Sequence, residues 1–154
     1  MKFEKLVEEE PLPYELLLLA DPSKELVDKY LKHSEVFVAT QHGETVGIVV
    51  LLPITTGEAE IKNIAVKPEL QGKGIGSYLI KNVIKVARQK KYRKICIGTA
   101  NSSIVPLYLY QKLGFEITGI RKSFFIDNYT EPIYEDGLQA KHMIILTQDL
   151  EESK

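Results

Sequence analysis

The segment AEIKNIAVKPELQGKGIGSYLIKNVIKVARQKKYRKICIGTA, Ala59 to Ala100, limits the folds open to this chain more than any other part of it. A strand-like run from Ala59 to Val66 ends at Pro68, and a short β-branched run, YRKICIGTA, closes the segment. Between them, from Gly74 to about Lys90, Ile75, Leu79, Ile80, Val83, Ile84, Val86 and Ala87 fall on one helical stripe. Lys81, Lys85, Arg88 and Gln89 lie largely opposite that stripe, so the helix covers a sheet. Strand, amphipathic helix and strand in this order imply a right-handed crossover between two parallel strands.

The flanks add antiparallel pairing. EVFVATQHGETVGIVVLLPI reads as two strands joined at His42–Gly43–Glu44, and KFEKLVE as a strand before them. Pro13 to about Ala20 and Pro22 to about His33 read as two helical pieces with proline near each start and Asp21 as a cap. A helix through SIVPLYLYQKL is closed by Gly114 in the left-handed conformation. GFEITGIRKSFF and AKHMIILTQDL read as the last two strands, with IDNYTEPIYEDGLQ a long polar and aromatic loop between them. The predicted fold class is α/β of the α+β kind: a mixed, mostly antiparallel sheet of about six or seven strands with helices on both faces.

At 154 residues the chain is expected to form one domain, 1–154, burying roughly 70% of the surface its unfolded form exposes. A net charge of -1 with no one-signed half argues against a nucleic-acid or membrane-surface binder, because both need clustered positive charge. The N-terminal stretch carries acids where a secretion signal would be basic, and the apolar run Leu16 to Ala20 is too short to span a bilayer, so a cytoplasmic protein is expected. The single cysteine, Cys96, and the scattered His33, His42 and His142 give no metal-ligand spacing, and no metal is expected.

Gly72, Gly74 and Gly76 sit at the start of the crossover helix. Glycine-rich backbone there turns successive N–H groups into one concavity, and the unpaired N–H groups of the first helical turn add to it, which suits a phosphate. Lys73 adds a screened attraction. A Walker A loop fails, since the required second glycine falls on Ser77 or Leu79, and a dinucleotide fingerprint from Gly72 meets Ser77 where its third glycine belongs.

QGKGIG, Gln71 to Gly76, following NIAVKPEL, resembles the Q/R-x-x-G-x-G/A pyrophosphate loop of the GCN5-related N-acetyltransferase (GNAT) family. NSSIVPLYLYQKLGF, Asn101 to Phe115, looks like that family's second signature, an Asn followed by a helix ending in L-Y-x-K-x-G-F. The resemblance covers Ile48 to Phe115 well and the two ends only in their general pattern of elements. It implies a single GNAT-like domain that transfers an acetyl group from acetyl-CoA, as cosubstrate, to an amine by direct attack. By the same resemblance the backbone of Ile64, Ala65 and Val66 pairs with the pantetheine amides, the Val66 N–H facing the thioester carbonyl. Gln71, Gly72, Lys73, Gly74, Ile75 and Gly76 hold the pyrophosphate. Tyr110 is the general acid for the departing thiolate, Glu60 the base for the amine, and Asn101, or Ser103 in its place, bonds the pantetheine arm. The spacing of Asn101 from Tyr110 is wider than the family's usual one, which keeps Ser103 in contention.

Acceptor identity is expected in the least family-like parts, the helices from Pro13 to His33 and the loop from Phe124 to Gln139. That loop's aromatics and carboxylates suit a small cationic amine or a peptide amine. No nucleic-acid or membrane partner is expected, and a monomer or homodimer is. Two other readings stay open on the sequence: a CoA-binding sensor with little catalysis, and a module whose glycine loop holds a different nucleotide.

Overall fold

The computed structural model describes residues 1–151. Seven strands form one sheet in the order β1 (Lys2–Lys5), β2 (Glu35–Gln41), β3 (Glu44–Pro53), β4 (Glu58–Val66), β5 (Lys94–Ala100), β9 (Met143–Asp149), β6 (Glu116–Arg121). Every neighbouring pair is antiparallel except β4 and β5, which the helix α3 (Ile75–Gln89) connects as the crossover requires. The β2–β3 turn places His42 at φ 53° and Gly43 at φ 77°, two left-handed residues that match the twist of the strands they join.

Helices α1 (Tyr14–Ala20) and α2 (Lys24–Leu31) cover one face, where Leu16, Leu17 and Val27 pack on Val36, Val38, Ile48 and Val50. The other face carries α3 and α4 (Ile104–Lys112), and its core includes Leu79, Ile80, Val83, Tyr110, Phe115 and Leu146. Between the α1–α2 pair, Ser23 caps α2 by accepting from the Leu26 N–H at 3.2 Å. Asp21, expected as a cap, instead accepts from the Ser23 N–H at 3.1 Å while its own N–H closes α1 onto Leu17 O.

Three expectations change, two of them in the C-terminal third. The strand expected through Phe125 stops at Arg121, because Ser123 turns left-handed at φ 61° and begins a short helix, α5 (Phe124–Asn128). The expected loop contains a hairpin, β7 (Ile133–Glu135) and β8 (Leu138–Ala140), turned at Asp136 and Gly137 with φ 50° and 80°. The first strand also ends early, at Lys5.

Gly47 of β3 sets how closely α3 approaches the sheet. A Cβ there would stand 2.9 Å from Leu79 Cδ1, 3.2 Å from Ile75 Cγ2 and 3.3 Å from Ala65 O. Gly47→Val is expected to cost about 1–3 kcal/mol of unfolding free energy through overpacking, read as a lower denaturant midpoint.

Candidate active site

The crossover leaves an opening in the sheet. Parallel pairing runs from Glu58 opposite Lys94 to Ile61 opposite Ile97 and stops, although β4 continues to Val66 and β5 to Ala100. At that point β4 carries a bulge: Ile61 opposes Leu51 and Asn63 opposes Val50, leaving Lys62 unopposed. The extra residue inverts which side chains face which layer. Ala59 and Ile61 belong to the α3 side, whereas after the bulge Ala65 packs with α1 and α2, and Ile64 and Val66 turn toward α3.

The same alternation disposes the backbone. Lys67 N–H donates to Val46 O at 2.9 Å, so Ala65, two residues before it, also turns its N–H and C=O to β3, opposite Ile48. Ile64 and Val66 point theirs to the edge that β5 has left. Ala65, expected to meet a cofactor, therefore has neither a side chain nor a backbone group on that edge. Gln71 Nε2 donates to Val66 O at 3.2 Å, fastening the glycine loop to the end of the strand.

Gly72 and Gly74 have φ 77° and 88°, Gly74 being the N-cap of α3. No side chain caps this helix and no acid sits in its first turn, so the first-turn N–H groups remain open to an anion. Gly76 lies inside the helix, where a Cβ would meet only Leu109 Cδ2, at an ordinary 3.8 Å. Nothing within the chain requires glycine there; a ligand approaching the backbone would. Lys73 is exposed, and Ile75 is 4% exposed with its side chain in the core, so Ile75 offers a ligand its backbone alone.

A cavity of about 670 Å³ occupies the opening. Glu60, Ile64, Ser103 and Tyr110 line it; the glycine loop and Asn101 do not. Tyr110 is held from behind by the end of α4, where Phe115 N–H donates to Tyr110 O at 3.0 Å and Gly114 N–H to Gln111 O at 3.1 Å, with Gly114 at φ 102°. Its ring packs on Phe115 at 6.2 Å and is 6% exposed, and its hydroxyl has no hydrogen-bond partner among the described residues. Burial pushes that phenol well above the usual tyrosine range. Glu60 is half-buried, 3.7 Å from Lys62 Nζ, which also lies over the Tyr30 ring at 5.3 Å. Cys96, opposite Glu60 in β5, is pushed up to about 11 by burial, with Glu60 and Glu58 adding to it, and so stays a thiol at neutral pH.

The same architecture is found in known proteins. The model of the acetyltransferase (GNAT) domain matches residues 32–117. The chain belongs to the GNAT acetyltransferase family. It is 47% identical over 137 residues to the "uncharacterized N-acetyltransferase YvbK" of Bacillus subtilis (strain 168), covering 89% of this chain and 88% of that one. A GNAT family acetyltransferase from Elizabethkingia anophelis, solved with acetyl-CoA bound, superposes with TM-score 0.95 at 51% identity, over 96% of this chain and 97% of that one. A Bacillus subtilis acetyltransferase solved in complex with CoA gives TM-score 0.89 at 45% identity, over 96% and 99%.

Within this GNAT enzyme two site residues stand differently from the expectation. Asn101 does not face the cavity: its Oδ1 accepts from Lys141 N–H at 2.8 Å and His142 N–H at 2.9 Å, and its Nδ2 donates to Gln139 O at 3.1 Å. It ties the β8–β9 junction to the end of β5, so Asn101→Ala is expected to lower unfolding free energy by about 1–2 kcal/mol and leave acetyl-CoA affinity unchanged by calorimetry. Ser103 faces the cavity, but its Oγ donates to Glu135 Oε1 at 2.8 Å, as does Ser102 Oγ at the same distance.

Asp21 and Tyr30 line the cavity without having been singled out as site residues from the sequence, and they meet Asn63 and Tyr129 there. Asn63 Nδ2 donates to Leu17 O and to the Tyr30 hydroxyl, both at 2.9 Å. Tyr30 reaches Asp21 Oδ2 at 3.4 Å, and Tyr129 donates to Asp21 Oδ1 at 2.9 Å. The segment from α5 to β8 and the α1–α2 junction thus meet across the cavity through Asp21. An acid between two helices gives no periodic or spacing signal; its partner lies far along the chain, in the loop after α5.

Among the described residues no helix is long and apolar enough to cross a membrane.

Proposed function

We propose that the enzyme transfers an acetyl group from acetyl-CoA to a primary amine of a small molecule or peptide by direct attack, within one domain. The observation that carries this reading is the opening itself: β5 leaves β4 where Ile64 turns both backbone groups and Val66 its N–H to the vacated edge, between an uncapped glycine loop and the Tyr110 hydroxyl. A chain of amides with a pyrophosphate at one end and a thioester at the other suits that order of groups. The acetyl-CoA and CoA bound in the two similar structures support the donor.

Acetyl-CoA bound there supplies an activated acetyl thioester. Residues Gln71 to Gly76 hold its pyrophosphate through backbone N–H groups, with Lys73 as a screened counter-charge. The Ile64 C=O and the Val66 N–H take the pantetheine amides. Val66 adjoins the glycine loop and Ile64 adjoins the bulge and lines the cavity, so the site for the thioester carbonyl moves from Val66, where it was expected, to Ile64. The Ile64 N–H then stabilises negative charge developing on that oxygen.

Tyr110 gives its hydroxyl proton to the departing thiolate, and its raised pKa keeps that proton in place beforehand. Glu60, on the same wall, accepts the proton from the incoming ammonium, directly or through water. Ser103 keeps a positioning role through Glu135. Calorimetric titration tests the donor assignment: acetyl-CoA binds and ATP and NAD do not. Preferential binding of either nucleotide would remove it.

A further inference from the structure

The cavity wall at the α1–α2 junction holds a carboxylate without a counter-charge. Asp21 is 9% exposed and lines the cavity. It receives one backbone N–H and two phenol hydroxyls, and the ion pairs among the described residues all involve other acids. Burial raises the pKa of both Tyr30 and Tyr129, so the two phenols stay neutral donors and bring no positive charge. With no cation of the described residues beside it, this carboxylate gives the cavity wall a negative charge that a cationic ligand can meet.

A second observation points the same way. Asn63 is 3% exposed and lines the same cavity; its Nδ2 is fixed by the Leu17 carbonyl, which can only accept, so its other terminal atom is the oxygen. That Oδ1 is buried and has no donor among the described residues. This end of the cavity therefore offers acceptors in excess of donors, and a ligand completes it by bringing N–H groups and positive charge.

The reacting nitrogen does not meet this need. A nitrogen held against Asp21 keeps its proton, because the opposite charge favours the ammonium form, and a protonated nitrogen does not attack a thioester. The nucleophile is prepared elsewhere, beside Glu60 and Ile64. Resting on the function proposed above, we infer that the acceptor carries two amines: one stays an ammonium paired with Asp21, and the other loses its proton at the β4–β5 opening and is acetylated. The ring faces of Phe125 and Tyr129, stacked at 5.8 Å, give the apolar linker between the two amines a surface to lie on.

The test compares cadaverine with pentylamine by calorimetric titration of the enzyme, with and without CoA. Wild type is expected to bind the diamine at least about tenfold tighter than the monoamine, and Asp21→Asn to bind the two equally. Equal binding to wild type, or a preference that survives in Asp21→Asn, overturns the inference. Should Asp21→Asn fail to fold, the wild-type comparison decides, together with Tyr129→Phe, which keeps the carboxylate and is expected to keep the preference. Failure of CoA to bind would count against the donor assignment, while the titration without CoA still reads the Asp21 site.

Discussion

Tyr110→Phe lowers kcat for acetyl transfer about a hundredfold or more, the usual contribution of a positioned general acid, with little change in KM for acetyl-CoA. The substitution removes one oxygen from a ring that is otherwise packed on Phe115 and held by the α4 terminus, so the fold has no reason to change. Steady-state kinetics separates this from a binding defect, because a hydroxyl used only when the thiolate leaves affects kcat and kcat/KM together. The pH profile is a second check. A phenol whose pKa is raised by burial stays protonated up to and beyond the ordinary tyrosine value of about 10, so any alkaline fall in rate that belongs to Tyr110 lies above that pH. A kcat unchanged in Tyr110→Phe would remove the residue from the mechanism.

Gly74→Val abolishes measurable acetyl-CoA binding at concentrations that saturate wild type. Valine at φ 88° carries the left-handed penalty of about 1–2 kcal/mol, and a β-branched side chain is among the worst suited to it. Relief comes by remodelling the turn, which moves the first N–H groups of α3 away from the pyrophosphate they are assigned to hold. The site around Gly74 is open, with nothing in the chain within 4 Å of an added Cβ, so the loss falls on the ligand and on local backbone rather than on the core. Gly76→Ala is the milder counterpart: its Cβ fits the chain, and any weakening of binding measures how closely the ligand approaches the helix.

The parts of the fold written in local chemistry were readable from the sequence. The α3 stripe, the His42–Gly43 turn and the Gly114 helix end each follow from a period or a required left-handed residue. Asp136–Gly137 carries an equally good hairpin signal, but the three-residue strands it joins are too short to show alternation, so the strands themselves were not placed. The bulge at Lys62 left no mark because EIKNIAV alternates in burial straight through it; the inversion of faces is visible only in pairing with β3. That is why Ala65 was grouped with Ile64 and Val66. Asn101 and Asp21 were obscure for a related reason: each bonds to backbone or side chains far along the chain, in β8–β9 and after α5. The glycine loop stood out because its left-handed residues and missing side chains reflect a local demand.

The most direct test of the account is a thiol-release assay with acetyl-CoA and a panel of monoamines, diamines, amino acids and peptides, with mass spectrometry of the products. The expected result is release of CoA thiol that depends on an amine and matches the N-acetylated amine formed, at a rate that falls with Tyr110→Phe. Absence of amine-dependent thiol release across the panel, from an enzyme that calorimetry shows to be saturated with acetyl-CoA, would contradict it.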